Sequence, residues 1–207
     1  MSADAPAYAR ATVTAYEVYA ARAIASWARA RRPSAWLIRF AARLPAQGRV
    51  LDYGCGIGTD LTWLRARGFL VEGLDASRRF VAEARRRCPG VAVARAWFET
   101  VALPAAAYDG IWCQAALMHV PPEGMPAQLE KLRRALKPGG WLGLTLAWGR
   151  SRRVLDADWI PGRYVASYTK AEALAWLRSW TRMESRVAVH DGRGGRWVQL
   201  LASPGGG

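Results

Sequence analysis

Imidazole, thiol and ammonium groups are scarce in this chain of 207 residues, which has two histidines, three cysteines and three lysines. Cys55, Cys88 and Cys113 stand apart with no C-x-x-C pair, and His119 and His190 supply all the imidazole. That inventory excludes a disulfide framework and a zinc site, and points to a reducing compartment, the cytoplasm. Also missing is any run near 18 uninterrupted apolar residues, and the opening MSADAPAYARATVTAYEVYAAR holds no apolar h-region. Neither a membrane span nor a signal peptide is expected. No internal repeat or low-complexity block interrupts the chain, and Ser203-Pro204-Gly205-Gly206-Gly207 reads as a frayed terminus.

Arginine is in excess. It accounts for 27 of the 30 basic residues, against 16 acidic ones, for a net charge of +14. Basic surfaces neutralise phosphates and release counterions, which suits nucleic acid or an acidic ligand. The arginines are spread through every segment, however, and their longest run is Arg85-Arg86-Arg87. This spacing reads first as solvated helix faces and second as a polyanionic or anionic partner. Eleven tryptophans would suit base stacking, yet Trp63, Trp112, Trp141, Trp176 and Trp197 fall in expected helices or strands, where core packing accounts for them.

With 52% apolar and 22% charged residues, the composition is that of one globular domain. Residues 6–44 are rich in Ala and Arg, and Tyr8, Val13, Tyr16, Tyr19 and Ala23 recur at mostly three- and four-residue spacing. One or two amphipathic helices broken by Pro33 are expected there. From Arg49 the pattern changes to short apolar runs alternating with helices: RVLDY, FLVEGLD, VAVARAW, DGIWCQ and WLGLTLAW. Such alternation predicts βαβ units. Ser77 is placed to cap a helix ending at Pro89-Gly90, and Met125, Leu129, Leu132 and Leu136 form a stripe stopped by Lys137-Pro138-Gly139-Gly140. After Trp148 come a polar connector, a helix near 170–180, and two strands, SRVAVH and RWVQLLAS, turning through 191–195 as a hairpin at the sheet edge. The expected fold is a Rossmann-like, doubly wound, seven-stranded sheet, mostly parallel, with an antiparallel C-terminal hairpin. Residues 1–45 form a helical cap on the domain at 46–207.

The chemistry is concentrated at Val50-Leu51-Asp52-Tyr53-Gly54-Cys55-Gly56-Ile57-Gly58-Thr59-Asp60, a buried-type strand that ends in a G-x-G-x-G turn opening a helix. Glycines let the backbone turn sharply and approach a ligand closely, and the helix N–H groups then face it. Asp75 ends the next strand, 75 − 54 = 21 residues after the first glycine, where a carboxylate accepts both hydroxyls of a ribose. A dinucleotide-binding domain also pairs a glycine turn with an acid about 20 residues later. Against that reading, Thr59 stands where the dinucleotide fingerprint has its third glycine. The turn also follows a preface of about 45 residues, and neither a second substrate domain nor a Tyr-x-x-x-Lys pair is evident. Asp52 puts negative charge where a pyrophosphate is repelled and an ammonium group attracted.

VLDYGCGIGTD, GLDAS, YDGIWCQAALMHVP and LKPGGWLGLTL, in that order, resemble the motif series of class I S-adenosylmethionine-dependent methyltransferases, especially small families acting on metabolites. The resemblance spans roughly residues 45–147 and extends weakly to 202 through RYVASYTKAEALAWLRSW and RWVQLLAS. It implies that Gly54, Cys55, Gly56 and Gly58 border the methionine moiety of S-adenosylmethionine, Asp52 holds its ammonium group through water or backbone, and Asp75 takes the ribose. It also implies Ala76 against adenine and Gln114 and Ala115 on the methionine side. Many relatives carry an acid after the third strand to bind adenine. Here Ala96-Trp97-Phe98-Glu99 stands in its place, so Trp97 or Phe98 sandwiches the base, or Glu99 substitutes.

Methyl transfer from a sulfonium needs alignment and dryness more than a base. His119 follows the fourth strand, at the rim where acceptors bind, and is the candidate base beside its plainer role of local packing. Tyr16, Tyr19, Trp159, Tyr164 and Tyr168 are candidates for a lid and acceptor wall beside the alternative of core packing. The expected acceptor is an O, N or S atom of a small molecule. Rival readings are a tRNA or rRNA methyltransferase, against which no Asn-Pro-Pro-Tyr-type motif or appended RNA module is found, and a donor-binding partner protein without turnover. A nicotinamide-dependent oxidoreductase ranks last, no metal is expected, and the oligomeric state is not legible.

Overall fold

A computed structural model describes residues 5–29, 33–189 and 195–205. Three helices come first: α1 (Ala7–Val18), α2 (Ala20–Trp27) and α3 (Ala35–Ala41). The preface thus breaks at Tyr19 as well as near Pro33, and Ser34 caps α3 by accepting from the Leu37 N–H at 3.1 Å. Alternation then follows as β1 (Arg49–Tyr53), α4 (Thr59–Ala66), β2 (Leu70–Asp75), α5 (Arg78–Arg87), β3 (Ala92–Arg95), β4 (Tyr108–Gln114), α6 (Met125–Ala135) and β5 (Leu136–Ala147). Ser77 does cap α5, accepting from Phe80 N–H at 3.1 Å. The stripe on α6 ends one residue early, because Leu136 already belongs to β5.

The chain after β5 departs from expectation. Its polar connector holds a separate two-stranded antiparallel sheet, β6 (Arg152–Leu155) with β7 (Arg163–Ala166). Four-residue strands with arginine at their ends give too little period-2 signal to stand out from a loop. Then come α7 (Lys170–Trp176), β8 (Arg182–Val189) and β9 (Arg196–Ser203). Most of the turn expected between the last two strands lies outside the described residues. The main sheet has seven strands in the order β3-β2-β1-β4-β5-β9-β8; β9 runs antiparallel to its neighbours, and β8 is the edge. The strand order reverses beside β1, between β1 and β4, and in doubly wound sheets ligands bind outside the carboxyl ends at that switch point.

Both faces of the sheet are covered. On one, α3 and α4 bury Trp36, Leu37, Phe40, Leu64 and Trp112. On the other, α6 and α7 pack Leu129, Leu132 and Leu177 against Ile111, Leu142 and Leu144. Trp112 is wholly buried, fits because Gly143 of the next strand has no side chain (a Cβ there would lie 2.4 Å from its ring), and donates its Nε1–H to Asp60 at 2.7 Å. Trp112→Ala is expected to destabilise the fold by about 3–5 kcal/mol, as other buried aromatic truncations do; urea denaturation measures it.

Candidate functional site

Along the carboxyl edge of the sheet lies a cavity of about 870 Å³, within the range of small-molecule sites. The turn after β1 forms its floor. Gly54 has φ +87°, and a Cβ on it would lie 2.4 Å from the Ala116 Cβ, so only glycine allows this approach. Its N–H and that of Cys55 donate to the Leu74 carbonyl, tying the turn to β2. At the end of β4, Ala115 adopts φ +52° and is held by donating to Thr145 Oγ1 at 2.8 Å. A left-handed alanine is unfavourable alone and persists here because the neighbouring strand fixes it.

Four carboxylates, Asp52, Asp60, Asp75 and Glu99, line the cavity of a protein whose net charge is +14. Asp52 is 3% exposed, and its Oδ2 has no hydrogen-bond partner among the described residues. Burial pushes its pKa well above the usual carboxylate range, and the charges of Asp60 and Asp75 push the same way. Asp75 accepts from Gly56 N–H at 3.0 Å through Oδ2 and from Ser77 N–H at 2.8 Å through Oδ1. Burial raises it from 3.8 to about 6 against those lowering bonds. Asp60 is also raised by burial, opposed by the Trp112 N–H. A floor of this sign attracts cations and repels a pyrophosphate.

The helical cap roofs the cavity. Tyr16 of α1 meets Phe80 at 5.4 Å and Trp27 at 6.1 Å between ring centroids, and Trp159 completes the group against Trp27. The Tyr16 hydroxyl lies 3.0 Å from His119 Nε2 and accepts from Arg163 Nη1 at 3.0 Å. Arg163 in turn pairs with Asp158. His119 Nδ1 is 2.7 Å from the Tyr164 carbonyl, and because a carbonyl only accepts, Nδ1 carries the proton. Burial lowers the His119 pKa to about 4, the Tyr164 bond opposing and the Arg163 charge adding to the shift. Thr12 accepts the Tyr164 N–H, and Tyr8 donates to Glu99 at 2.9 Å, so α1 is fastened at three points.

A methyltransferase-domain family model matches residues 24–188. The chain belongs to that family. Among relatives of this methyltransferase domain, a malonyl-[acyl-carrier protein] O-methyltransferase of Enterobacter lignolyticus is 35% identical over 120 residues, 57% of this chain and 47% of that protein. A trans-aconitate 2-methyltransferase of Methylobacterium nodulans is 39% identical over 119 residues, 56% of this chain and 44% of that protein. The chain thus spans about half the length of these two relatives. The DhpI–SAH complex shares the fold with a TM-score of 0.76 at 22% identity, over 98% of this chain and 99% of that one. So does a Burkholderia thailandensis 1,6-didemethyltoxoflavin-N1-methyltransferase, with a TM-score of 0.70 at 19% identity, over 97% and 92%.

The methyltransferase domain brings most of the residues singled out in the sequence to one cavity. From the donor set, Asp52, Gly54, Cys55, Gly56, Asp75 and Ala76 line it, as do Trp97, Phe98, Gln114 and Ala115. Gly58 instead starts α4 with φ +78° and packs toward Ala84. Phe98 has one face stacked on Tyr53 at 4.5 Å, and Glu99 is engaged by Tyr8. His119, Tyr16 and Trp159 line the cavity. Tyr168 is turned into the core, its hydroxyl donating to Val120 O at 3.0 Å; Tyr164 contributes its backbone to His119, and Tyr19 packs beside α2. Arg163, Asp158 and Trp27 were not found from sequence. Arg163 lies 147 residues from Tyr16 in an unexpected strand, and no local spacing signals such a pairing.

Proposed function

We propose that this domain transfers the methyl group of S-adenosylmethionine to an O, N or S atom of a metabolite-type acceptor in the carboxyl-edge cavity. The observation that carries the donor is the buried, unpartnered Asp52 Oδ2 beneath the glycine turn. A desolvated carboxylate oxygen needs a cation or a donor, and the ammonium of a methionine moiety is both. Bound there, S-adenosylmethionine supplies a methyl group already activated on a cationic sulfur. Gly54, Cys55 and Gly56 border the methionine part, with Gln114 and Ala115 on its other side, while Gly58 shapes the turn from beneath. Asp75 accepts the ribose hydroxyls on lone pairs that Gly56 and Ser77 leave open, Ala76 lies against adenine, and Trp97 with Phe98 walls it in. Residues 1–45 act as the cap of a single domain, excluding water through Tyr16 and Trp27, with Trp159 of the connector packed against them. The names of two relatives, acting on malonyl-[acyl-carrier protein] and trans-aconitate, support a metabolite-type acceptor. The three buried, free cysteines suit a reducing compartment, and among the described residues no helix is long and apolar enough to cross a membrane.

The test is incubation with methyl-labelled S-adenosylmethionine, a low-molecular-weight cell extract and, separately, bulk tRNA. Label in the small-molecule fraction is expected; label confined to tRNA would move the acceptor to nucleic acid. Affinity is also expected to depend on pH through Asp75. With its pKa raised to about 6, the folded protein holds a proton that the unfolded chain lacks between about pH 4 and 6, so this group's stability contribution falls as pH rises through that window. Ribose binding needs the carboxylate, so this contact with S-adenosylhomocysteine strengthens as pH rises through about 6, and any further gain at higher pH belongs to Asp52, whose pKa burial also raises. One unit below that pKa of about 6 about a tenth of Asp75 sites are ionised, and through this contact binding is about tenfold weaker at pH 5 than with Asp75 fully ionised. Calorimetry at pH 5, 6, 7 and 8 reads this directly; a flat profile removes Asp75 from the contact.

A further inference from the structure

We propose that the acceptor is a carboxylate, its anionic oxygen held beside Tyr16 and Arg163 and methylated without a base. The inference rests on the methyl-transfer reading above and names its substrate class. His119 has both ring nitrogens engaged, Nδ1–H by the Tyr164 carbonyl and Nε2 by the Tyr16 hydroxyl. Burial further disfavours a proton on it. The cavity carboxylates are each hydrogen-bonded through one oxygen or turned to the donor. Asp60 accepts from Trp112, Glu99 accepts from Tyr8, and Asp52 and Asp75 face the donor. A hydroxyl or protonated amine acceptor would need a group to take its proton. A carboxylate brings no proton.

Hydrogen-bond donors, in contrast, are available. Arg163 is 7% exposed and lines the cavity. Of its five N–H groups, two go to Asp158 and one to Tyr16, leaving two without a hydrogen-bond partner among the described residues. Asp158 already balances the guanidinium charge, so the local offer is planar N–H donation, which suits a carboxylate. In the transfer, a carboxylate oxygen lone pair forms the O–CH3 bond. The S–CH3 bond breaks and its electron pair stays on sulfur, giving a methyl ester and a neutral thioether. No proton is released, whereas a hydroxyl or a protonated amine would release one per turnover.

The experiment uses methyl-labelled S-adenosylmethionine and a small-molecule extract, followed by mild base. The labelled product is expected to be a methyl ester, returning its label as volatile methanol. Base-stable label in a small molecule overturns the carboxylate proposal and leaves methyl transfer standing; absence of S-adenosylhomocysteine binding in calorimetry overturns the underlying reading instead. If the extract holds no acceptor, thermal shift of the S-adenosylhomocysteine-loaded protein decides, with a library of carboxylic acids beside their primary amides. Acids are expected to stabilise more than the matched amides, and amides doing as well would overturn the proposal. Arg163→Gln is expected to weaken the acid preference about 10–100-fold, the loss of a hydrogen bond to a charged partner, with S-adenosylhomocysteine affinity retained as the folding control. Arg163→Lys, which keeps the charge and loses the fork, is expected to fall between.

Discussion

Asp75→Ala is expected to weaken S-adenosylmethionine and S-adenosylhomocysteine binding about 100-fold or more. Two ribose hydroxyls lose a charged acceptor, each such bond being worth about 1.5–3 kcal/mol. The substitution also releases the Gly56 and Ser77 N–H groups that Asp75 holds at 3.0 and 2.8 Å, so the glycine turn and the start of α5 lose their common anchor. Asp75→Asn separates the two effects, because its carbonyl oxygen still accepts one of those bonds. It is expected to keep the fold and lose most of the affinity. Calorimetric titration of both variants reads the outcome; Asp75→Ala binding within threefold of the natural protein would remove this residue from the site.

Asp52→Asn is expected to move stability and binding in opposite directions. At 3% exposure with one unpartnered oxygen, the Asp52 carboxylate is held in the fold against its desolvation and against the charges of Asp60 and Asp75. Asparagine removes that charge at similar volume. The melting temperature is expected to rise by about 2–4 °C, the shift that about 1 kcal/mol gives in a domain of this size. The sign with pH follows from a raised carboxyl pKa, whose contribution to stability falls as pH rises. The variant's advantage is therefore larger at pH 8 than at pH 5. Affinity for S-adenosylhomocysteine falls about tenfold or more, since the ammonium group loses its charged partner. A residue that lowers stability while strengthening binding is what a ligand site is expected to contain. Scanning calorimetry and titration on one preparation test both halves, and a lower melting temperature would show that Asp52 is structural.

The alternation of strands and helices from Arg49 to Trp148 was legible because parallel strands buried on both faces read as unbroken apolar runs, as in RVLDY and GIWCQ. The site floor was legible for a related reason, since a glycine turn and the acid of the next strand sit at a fixed separation along the chain. The roof was not. Tyr16 was singled out by helical spacing, but its partners His119 and Arg163 lie 103 and 147 residues away, and pairing over such distances leaves no periodic trace. Tyr168 shows the converse limit: an aromatic in a polar connector read as a wall candidate, yet its ring is buried and its hydroxyl bonds Val120 O inside the core. The β6–β7 hairpin escaped because four-residue strands carry almost no alternation.

The central claim is that the acidic floor beneath the glycine turn selects a cationic methyl donor over a dinucleotide. Titrating the protein with S-adenosylmethionine, S-adenosylhomocysteine and NAD at pH 7.5 and moderate salt tests it most directly. The account predicts micromolar binding of both sulfur ligands and none of NAD. Binding of NAD, or of neither sulfur ligand, would contradict it.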